Sequence, residues 1–244
     1  MPRRALGRRA PTFDLERAHA ERGCALIAGV DEAGRGALAG PLAVGLVVYP
    51  THLFSEPPDG RLSGVRDSKQ LTPRQREKAE TAVRAAAQVA LTAFVSHRII
   101  DKINVNRATE AGLRKLLRML PRTPDIILMD GTFSFDVGVP IVPIVGGDSR
   151  SMSIASASIL AKVARDALLR GLDARYPGYG FHENKGYGTR AHRTAIEMIG
   201  PSPVHRLTYD PVRSLREGVV VEHEGSEPRN TTRIAGKGSE PHAD

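Results

Sequence analysis

The sequence predicts an α/β domain, because short apolar runs alternate with segments of helical pattern and three of those runs end next to acidic residues. The first run, residues 25–30, leads directly into Asp31 and Glu32. A second apolar run at residues 42–49 follows almost at once, so we expect the two to pair as neighbouring strands. Charges at the end of a buried strand must be paired, protonated or bound to a cation. The adjacent carboxylates therefore indicate a site for a hard metal ion.

Two further strands repeat this order. Asp130 ends an apolar run over residues 125–130, and Asp148 follows the run 141–145 and two glycines. A single aspartate at the end of a strand is most often a turn or cap residue. Three such positions in one chain, the first of them doubled, favour acidic side chains that converge along one edge of a central sheet.

The residues after Glu32 allow three interpretations. They form an ordinary solvated turn, or a dinucleotide-binding motif in the order Gly34-x-Gly36-x-x-Ala39, or part of a metal site that handles phosphate. The dinucleotide motif must open a helix, and Pro41 with the β-branched residues that follow argues against one. In the third interpretation Arg35 contacts an anion, and the glycines allow the backbone to approach a ligand closely.

Composition and charge agree with a globular protein that meets a polyanion. The 244 residues are 41% hydrophobic and carry a net charge of +8. Four arginines fall in the first ten residues and residues 218–244 carry a net charge of −2, which leaves +6 on the body of the chain. A basic body suits nucleic acid. We expect a disordered basic arm over residues 1–11, one domain over 12–217 and a disordered tail over 218–244.

Compartment and covalent chemistry are constrained by what the sequence lacks. No apolar stretch reaches the roughly 20 residues that a membrane helix requires, and no signal peptide opens the chain. The single cysteine, Cys24, excludes an internal disulfide. We therefore expect a cytoplasmic protein.

The first half of the chain contains two predicted helices and a third strand. Thr12 is the expected cap of a short helix over residues 13–22. The order Thr72-Pro73-Arg74-Gln75 is typical of a capping box and predicts a helix to about Gln88. Residues 89–95 then form the third predicted strand.

The second half is predicted to be mainly helical. Residues 104–120 have leucines at helical spacing, and Pro121 ends that helix. A long helix is expected from Asp148 to about Arg175, with small residues that allow close packing on the sheet. After a loop over residues 176–184, a further helix is expected over 189–199.

Tyr187 lies between two glycines in the order Lys185-Gly186-Tyr187-Gly188. Its ring is either a packing residue of the core or a surface on which a nucleic-acid sugar or base stacks. The residues themselves leave both interpretations open.

With these segments the chain closely resembles the type 2 ribonucleases H, the ribonuclease HII family. The resemblance covers roughly residues 13–215, and the matching segments keep the family's order. They are Gly29-Val30-Asp31-Glu32-Ala33-Gly34-Arg35-Gly36, Leu38-Ala39-Gly40-Pro41, Asp67-Ser68-Lys69-Gln70-Leu71, Ile103-Asn104, Met129-Asp130-Gly131, Gly147-Asp148-Ser149, Ser158-Ile159-Leu160-Ala161-Lys162-Val163 with Arg165-Asp166, Asn184-Lys185-Gly186-Tyr187-Gly188-Thr189 and His205-Arg206.

This resemblance implies a ribonuclease H-like fold, in which helices flank a mixed central sheet and a small helical C-terminal region completes the substrate groove. It implies an endonuclease that hydrolyses the phosphodiester 5′ of a ribonucleotide, in RNA–DNA hybrids and within duplex DNA, during ribonucleotide excision repair. The implied products are 5′-phosphate and 3′-hydroxyl ends. The carboxylates expected to hold two Mg²⁺ or Mn²⁺ ions are Asp31, Glu32, Asp130 and Asp148.

The resemblance also implies substrate contacts. The turn Gly34-Arg35-Gly36 would read the ribose 2′-hydroxyl largely through its backbone, and Tyr187 would pack on the deoxyribose side of the junction. Lys69 and Lys185 are expected to contact phosphates. We expect a monomer that acts on RNA–DNA hybrid and on ribonucleotide-containing duplex DNA; a clamp protein is a conceivable partner that no residue indicates.

Two other functions stay open at this point. A different metal-dependent nuclease or strand-transfer enzyme would use the same acidic chemistry and would cleave all-DNA substrates. A noncatalytic basic RNA-binding protein would not need its carboxylates.

Overall fold

A computed structural model describes residues 10–55, residue 60 and residues 62–217. Most of the predicted basic arm and all of the predicted tail, residues 1–9 and 218–244, lie outside the described residues. Their predicted disorder therefore stays a prediction.

Five strands form one mixed sheet in the spatial order β3-β2-β1-β4-β5. Strand β1 is antiparallel to β2 and parallel to β4; β2–β3 pair antiparallel and β4–β5 pair parallel. The predicted pairing of the first two apolar runs is confirmed, as is the predicted third strand. The strands are β1 Ile27–Ala33, β2 Leu42–Val48, β3 Val89–Val95, β4 Ile126–Asp130 and β5 Ile141–Ile144.

The parallel pairing of β1 and β4 explains why acidic residues distant in sequence come together. Val30 lies opposite Met129, so Asp31 and Asp130 are the next residues along neighbouring parallel strands. Strand β5 lies beside β4 and leads into a 3₁₀ turn over Gly147–Ser149, which carries Asp148 to the same edge of the sheet. The predicted acidic edge is therefore formed.

Helices cover both faces of the sheet, as the α/β pattern predicts. The buried residues of α4 pack with those of α2 on one face, and those of α3 pack on the other. The helices are α1 Asp14–Ala20, α2 Pro73–Ala86, α3 His97–Met119, α4 Met152–Arg175, α5 Phe181–Asn184, α6 Arg190–Ile199 and α7 Val212–Arg216. In the described part of the chain no helix is both long and apolar enough to cross a membrane.

Helix α4 lies against β1 and β2 more closely than side chains on those strands would allow. A methyl group on Gly45 would lie 2.2 Å from the Ala157 carbonyl oxygen, and one on Gly29 would lie 2.2 Å from the Ser153 carbonyl carbon. The small residues in the first half of α4 are buried there, as predicted. This close contact holds β1, and with it the two adjacent carboxylates, against the helix.

Some predicted element boundaries are corrected by the structure. The first helix is capped at Phe13 without a side-chain hydrogen bond, so the prediction of Thr12 as the cap was wrong; the Thr12 hydroxyl accepts from the Asp14 N–H instead. The long helix α4 begins at Met152 rather than at Asp148, because residues 147–149 form a 3₁₀ turn and Ser151 caps the helix. The capping box at the start of α2 is confirmed.

Helix α3 contains a break that the sequence pattern marked only as a start. It begins at His97, and Asn104 within it has a left-handed backbone (φ +64°). The Asn104 side chain accepts from the N–H groups of Asn106 and Arg107, which caps the second segment. The predicted start at residue 104 is therefore a second start within a longer helix. Residues 181–184, predicted as loop, form the short helix α5.

A buried carboxyl group fixes the start of α4. Glu16 of α1 is fully buried, and its Oε1 accepts from the hydroxyls of Ser151 and Ser153 at 2.6 Å and from the Ser153 N–H at 2.9 Å. Burial raises the pKa of Glu16, while these donors lower it. A carboxylate at a helix N-terminus is favourable because the free N–H groups there carry partial positive charge. This contact ties the N-terminal segment to the element that follows Asp148.

Candidate active site

A cleft of about 530 Å³ opens at the acidic edge of the sheet. A larger groove of about 650 Å³ lies beside α2, but no acidic side chain lines it, so the chemistry points to the smaller cleft. The residues that line the acidic cleft are Asp31, Glu32, Ala33, Gly34, Arg35, Gly36, Ser68, Lys69, Asp130, Ser158, Lys162 and Tyr187.

The four predicted carboxylates are held by local hydrogen bonds and by one lysine. Asp31 is buried, and its Oδ1 accepts from the Glu32 N–H at 2.7 Å. Asp130 Oδ1 accepts from the Gly147 N–H at 2.7 Å, which links the second acidic position to the third. Asp148 does not line the cleft but lies 3.5 Å from the Lys69 ammonium, which does. The structure therefore brings Asp31, Glu32 and Asp130 to the cleft and places Asp148 beside it, in contact with Lys69.

Electrostatic repulsion within this group is visible in the pKa values. Burial raises the pKa of Asp31 well above its usual range, and the charges of Glu32 and Asp130 raise it further. Burial also raises the pKa of Glu32, against the lowering effect of Arg35. The pKa of Asp148 is raised by burial, by Asp67 and by Asp130, while Lys69 opposes the rise. A positive charge placed among these groups would relieve the repulsion.

The donor chemistry fits a hard divalent cation. All four side chains offer oxygen, and Glu32 Oε2 is buried with no hydrogen-bond partner among the described residues. Among the described residues, no three His, Cys, Asp or Glu side chains are placed so that they could hold one metal ion. Asp130 and Asp148 are instead engaged by Gly147 and Lys69. The residues thus have the chemistry of a cation site, with two of their carboxylates directed to protein donors.

The turn Gly34-Arg35-Gly36 follows β1 directly and lines the same cleft. Gly34 has φ +93°, a conformation that favours glycine. The guanidinium of buried Arg206 donates to the Gly34 and Arg35 carbonyls at 2.7 and 2.8 Å, and the Tyr209 hydroxyl donates to the Arg35 carbonyl at 3.0 Å. Gly36 is exposed, and a methyl group there would meet no other atom within 4 Å. Hydrogen bonds from Arg206 and Tyr209 therefore fix the backbone of this turn, while the exposed Gly36 leaves space for a ligand.

The Arg35 side chain is held by the protein. Its guanidinium donates to Asn106, lies 4.2 Å from the centre of the Phe133 ring and is 3.7 Å from Glu32. Its Nη1 is buried with no hydrogen-bond partner in the described part of the chain. Arg35 therefore counteracts the charge of Glu32, and the turn presents backbone rather than this side chain as its most accessible feature.

Tyr187 is half-buried and lines the same cleft. The guanidinium carbon of Arg165 lies 5.3 Å from the centre of its ring, and the Lys162 ammonium lies 5.6 Å from it. The structure thus places Tyr187 beside the turn and at the cleft surface, as the stacking interpretation requires.

The two predicted lysines differ in position. Lys69 is exposed and lines the cleft, where desolvation opposes its charge but Asp148, Asp31, Asp67 and Asp130 raise its pKa. The Lys185 ammonium donates to the His182 carbonyl and does not line the cleft. Lys185 is thus not brought to the site in this arrangement, and its phosphate contact stays a prediction.

Several residues of the site lie within the family motifs but had no predicted role. Ser158 hydrogen-bonds to Asp31 and lies 3.0 Å from the Ser68 hydroxyl, and Lys162 lines the cleft. Their positions in the family motifs were the only signal that could have found them. Phe133 and Asn106, which hold Arg35, lie outside those motifs, and no signal pointed to them.

A pair of buried histidines supports the Tyr187 loop through a chain of hydrogen bonds. The Ser202 N–H donates to His205 Nδ1 at 2.9 Å, so His205 carries its proton on Nε2 and donates to His192 Nε2 at 3.0 Å. His192 then carries its proton on Nδ1 and donates to the Tyr187 carbonyl at 2.9 Å. This chain of donors requires both rings to be neutral.

We expect this pair to make stability fall in acid. Burial, followed by the charge of His192, lowers the pKa of His205 to about 4, against about 6.5 in the unfolded chain. Because the unfolded state binds the proton more readily, stability is fully present above pH 6.5 and decreases as the pH falls towards 4. The loss is at most about 3 kcal/mol.

Thermal unfolding followed between pH 8 and 4 measures this effect. His205→Gln should flatten the dependence between pH 6.5 and 4, whereas His52→Gln, which replaces an exposed histidine, should leave it unchanged. An equally steep loss in His205→Gln would show that other groups cause it.

The mixed five-stranded sheet, with carboxylates at the ends of neighbouring strands, defines a hydrolase of the ribonuclease H class. The sequence profile of the family described as Ribonuclease HII matches residues 28–212, so the chain belongs to the ribonuclease HII family. It is therefore an endonuclease that acts on RNA–DNA substrates.

Individual relatives agree with this assignment. The chain is 45% identical to a ribonuclease HII of Geobacter sulfurreducens over 201 residues, which is 82% of this chain and 89% of that relative. The crystal structure of ribonuclease H2 from Pyrococcus horikoshii is similar with a TM-score of 0.66 and 27% identity, covering 79% of this chain and 98% of that one. Ribonuclease HII of Archaeoglobus fulgidus, solved in complex with PCNA, has a TM-score of 0.60 and 25% identity and covers 74% of this chain and 92% of that one.

Proposed function

We propose that this protein hydrolyses the phosphodiester on the 5′ side of a ribonucleotide, in RNA–DNA hybrids and at ribonucleotides embedded in duplex DNA. The products are 5′-phosphate and 3′-hydroxyl ends, and the process served is ribonucleotide excision repair. The observation that carries the proposal is that a backbone turn open to a ligand and a tyrosine ring line the same cleft as Asp31, Glu32 and Asp130.

Recognition of ribose is assigned to the turn Gly34-Arg35-Gly36. A protein distinguishes RNA from DNA by contacting the 2′-hydroxyl, which both donates and accepts a hydrogen bond. Backbone N–H and C=O groups supply both kinds of partner, and the open space at Gly36 admits a sugar. The carbonyls of Gly34 and Arg35 are already engaged by Arg206, which leaves the cleft side of the turn for the substrate.

The carboxylates Asp31, Glu32, Asp130 and Asp148 would hold two divalent ions, Mg²⁺ or Mn²⁺. When bound, such ions supply an activated water and stabilise the leaving oxygen during an in-line displacement. Asp31, kept in place by the Glu32 N–H and by Ser158, is the central ligand of this group. Lys69, which lies between the acids and solvent, is assigned to a substrate phosphate.

Tyr187 is assigned to the deoxyribose on the other side of the junction. Arg165 and Lys162 lie 5.3 and 5.6 Å from the centre of its ring, and the half-buried residue lines the cleft. An aromatic ring in this position packs on a sugar without reading the base, which suits an enzyme that must act at any sequence.

The protein is proposed to work as a monomer on its nucleic-acid substrate. The PCNA complex of the Archaeoglobus fulgidus enzyme makes a sliding clamp the protein partner to test. A cytoplasmic location stays a prediction.

The proposal is tested with a labelled DNA duplex that contains one ribonucleotide, incubated with Mg²⁺, with Mn²⁺ or with chelator. We expect metal-dependent nicking immediately 5′ of the ribonucleotide and no cleavage of the same duplex with deoxyribose at that position. Cleavage of the all-DNA duplex would instead favour a different metal nuclease. Tight binding without nicking in either metal would favour a noncatalytic nucleic-acid-binding protein.

Tyr187→Ala is expected to lower cleavage at a single embedded ribonucleotide by about ten- to a hundredfold, because base- or sugar-stacking contacts are worth about 1–3 kcal/mol. The fold should persist, since the ring lies at the cleft surface. Steady-state cleavage rates compared with Tyr176→Ala, which removes an aromatic ring near the end of α4, measure the effect. Unchanged kinetics would remove Tyr187 from the site.

A further inference from the structure

The side chain of Arg165 lies behind both substrate-reading elements. It is fully buried on α4 and donates three hydrogen bonds to backbone carbonyls. Nε donates to Pro41 at 2.9 Å, Nη2 to Ala39 at 3.0 Å and Nη1 to Lys185 at 2.8 Å. The first two carbonyls belong to the segment that continues the ribose-reading turn, and the third belongs to the Tyr187 loop.

The same guanidinium contacts the turn and the ring directly. A methyl group on Gly34 would lie 1.9 Å from Arg165 Nε, so the turn rests on the guanidinium. The centre of the Tyr187 ring lies 5.3 Å from its carbon atom. One rigid, planar group therefore contacts Gly34, the segment 39–41 and the Tyr187 loop at once.

Direct hydrogen bonds between the two segments complete this arrangement. The N–H groups of Leu38 and Ala39 donate to the Gly186 carbonyl at 2.7 and 3.2 Å. A methyl group on Gly186 would lie 2.5 Å from the Ala39 carbonyl oxygen, the same atom that Arg165 holds. These hydrogen bonds, together with the contacts of Arg165, therefore set the distance between the turn and Tyr187.

Arg165 is held by carbonyls rather than by an acid. Among the described residues no carboxylate forms an ion pair with Arg165, and the neighbouring Asp166 is paired with Lys162 at 2.8 Å and Arg76 at 3.5 Å. A buried charge without an acidic partner is costly, so the hydrogen bonds to the three carbonyls are what stabilise the guanidinium at this position. What the guanidinium provides is three fixed donors in one plane, which define the positions of three carbonyls.

We propose that Arg165 is a positioning residue for substrate selection, which sets the spacing between the ribose-reading turn and the Tyr187 ring. This inference rests on the proposed function, in which a junction substrate contacts the turn and Tyr187 together. A continuous RNA–DNA hybrid offers no deoxyribose to Tyr187 in the cleaved strand. Altered spacing should therefore impair the junction substrate far more than the continuous hybrid.

The test compares cleavage of a DNA duplex containing one ribonucleotide with cleavage of a continuous hybrid, for wild type, Arg165→Lys and the control Arg175→Lys. Lysine keeps the charge but cannot hold three carbonyls in one plane, and Arg175 is an exposed arginine at the end of the same helix. For Arg165→Lys we expect the ratio of the two rates, junction over hybrid, to fall about tenfold or more, since a misplacement of about 1 Å can cost a hundredfold. Arg175→Lys should keep the wild-type ratio.

Tyr187→Ala provides the second readout. If Arg165 acts through the ring, Arg165→Lys should no longer change the rate ratio once Tyr187 is alanine, and the double-mutant cycle is non-additive. Additive effects, or an equal loss on both substrates, would overturn the inference and leave the proposed function standing. Failure of the wild type to cleave either substrate would instead overturn the proposed function.

Thermal unfolding curves show whether each variant is folded at the assay temperature, and so separate a folding defect from a positioning defect. Where Arg165→Lys does not fold, Gly188→Ala takes its place in both experiments, because its methyl group would lie 3.0 Å from the Leu38 side chain and so shifts the Tyr187 loop from the segment that follows the turn. The same selective fall in the rate ratio is expected for Gly188→Ala, and an unchanged ratio would overturn the inference.

Discussion

Asp31→Asn is expected to lower cleavage at least about a thousandfold, which corresponds to about 4 kcal/mol of transition-state stabilisation, and to raise the stability of the protein without divalent metal. Asparagine keeps an oxygen that accepts from the Glu32 N–H, so the local backbone is preserved. It removes the charge through which Asp31 would hold a divalent ion. Activity and stability should therefore change in opposite directions.

The stability effect follows from the pKa of Asp31. Burial, with Glu32 and Asp130, raises this pKa above its value in the unfolded chain, so the folded state binds the proton more readily. Ionised Asp31 therefore destabilises the fold at neutral pH, and stability from this group increases as the pH falls through its folded pKa. Removing the charge should add about 1–2 kcal/mol at pH 7, the size typical of relieving strain at a functional site.

Cleavage assays and thermal unfolding, each with and without Mg²⁺, measure both effects. The gain in Tm should be largest without metal and should shrink with Mg²⁺, because a bound cation relieves the same repulsion in the wild type. Asp173→Asn, an acid near the end of α4 that interacts with His182, is the matched control and should retain activity. A destabilised but active Asp31→Asn would contradict the assignment of Asp31 as a metal ligand.

Gly34→Ala and Gly36→Ala are expected to fail for different reasons. At Gly34 the backbone is left-handed and the added methyl group would lie 1.9 Å from Arg165 Nε. Arg165 cannot move aside because it holds three carbonyls. We expect Gly34→Ala to destabilise the protein by about 2–4 kcal/mol and to lower Tm by roughly 5–15 °C.

At Gly36 the added methyl group meets no protein atom within 4 Å, so the Tm of Gly36→Ala should stay within about 2 °C of wild type. Cleavage should nevertheless fall about ten- to a hundredfold, because the methyl group occupies the space through which the sugar approaches the backbone. A loss of activity without a loss of stability in Gly36→Ala would show that the methyl group obstructs the substrate rather than the fold.

Parallel unfolding and single-turnover assays distinguish the two glycines. Gly64→Ala, at an exposed glycine that also has no atom within 4 Å of the added methyl group, should keep both stability and activity. Full activity in Gly36→Ala would mean that the substrate does not approach this side of the turn.

Local sequence patterns determined much of the fold and selected the residues of the candidate site. Apolar runs located the strands, the Thr72–Gln75 order located the start of α2, and glycine and proline marked turns. These features are readable because a strand or a helix start depends on residues within a few positions of one another. The order of acidic residues after three strands also selected Asp31, Glu32, Asp130 and Asp148, whose role as metal ligands stays a prediction.

Tertiary structure decided how the site is supported and which way its side chains point. Lys185 and Asp148 were both predicted from motifs. The Lys185 ammonium instead contacts the His182 carbonyl, and the Asp148 carboxylate contacts Lys69, which lines the cleft. A side-chain direction depends on the neighbours that packing supplies, and motif spacing does not contain that information. The same holds for Arg35, whose guanidinium lies on Phe133.

The sequence by itself determined the family and the α/β architecture, and it located acidic residues at the ends of strands, because these features depend on residue type and local order. Only the tertiary structure determined that Arg165 and Arg206 lie buried against the carbonyls of the turn, and that His192 and His205 are neutral partners below Tyr187. The physical reason is that a buried donor is defined by the acceptors it meets. Here those acceptors come from segments far apart in the chain, brought together by the packing of α4 and the C-terminal helices.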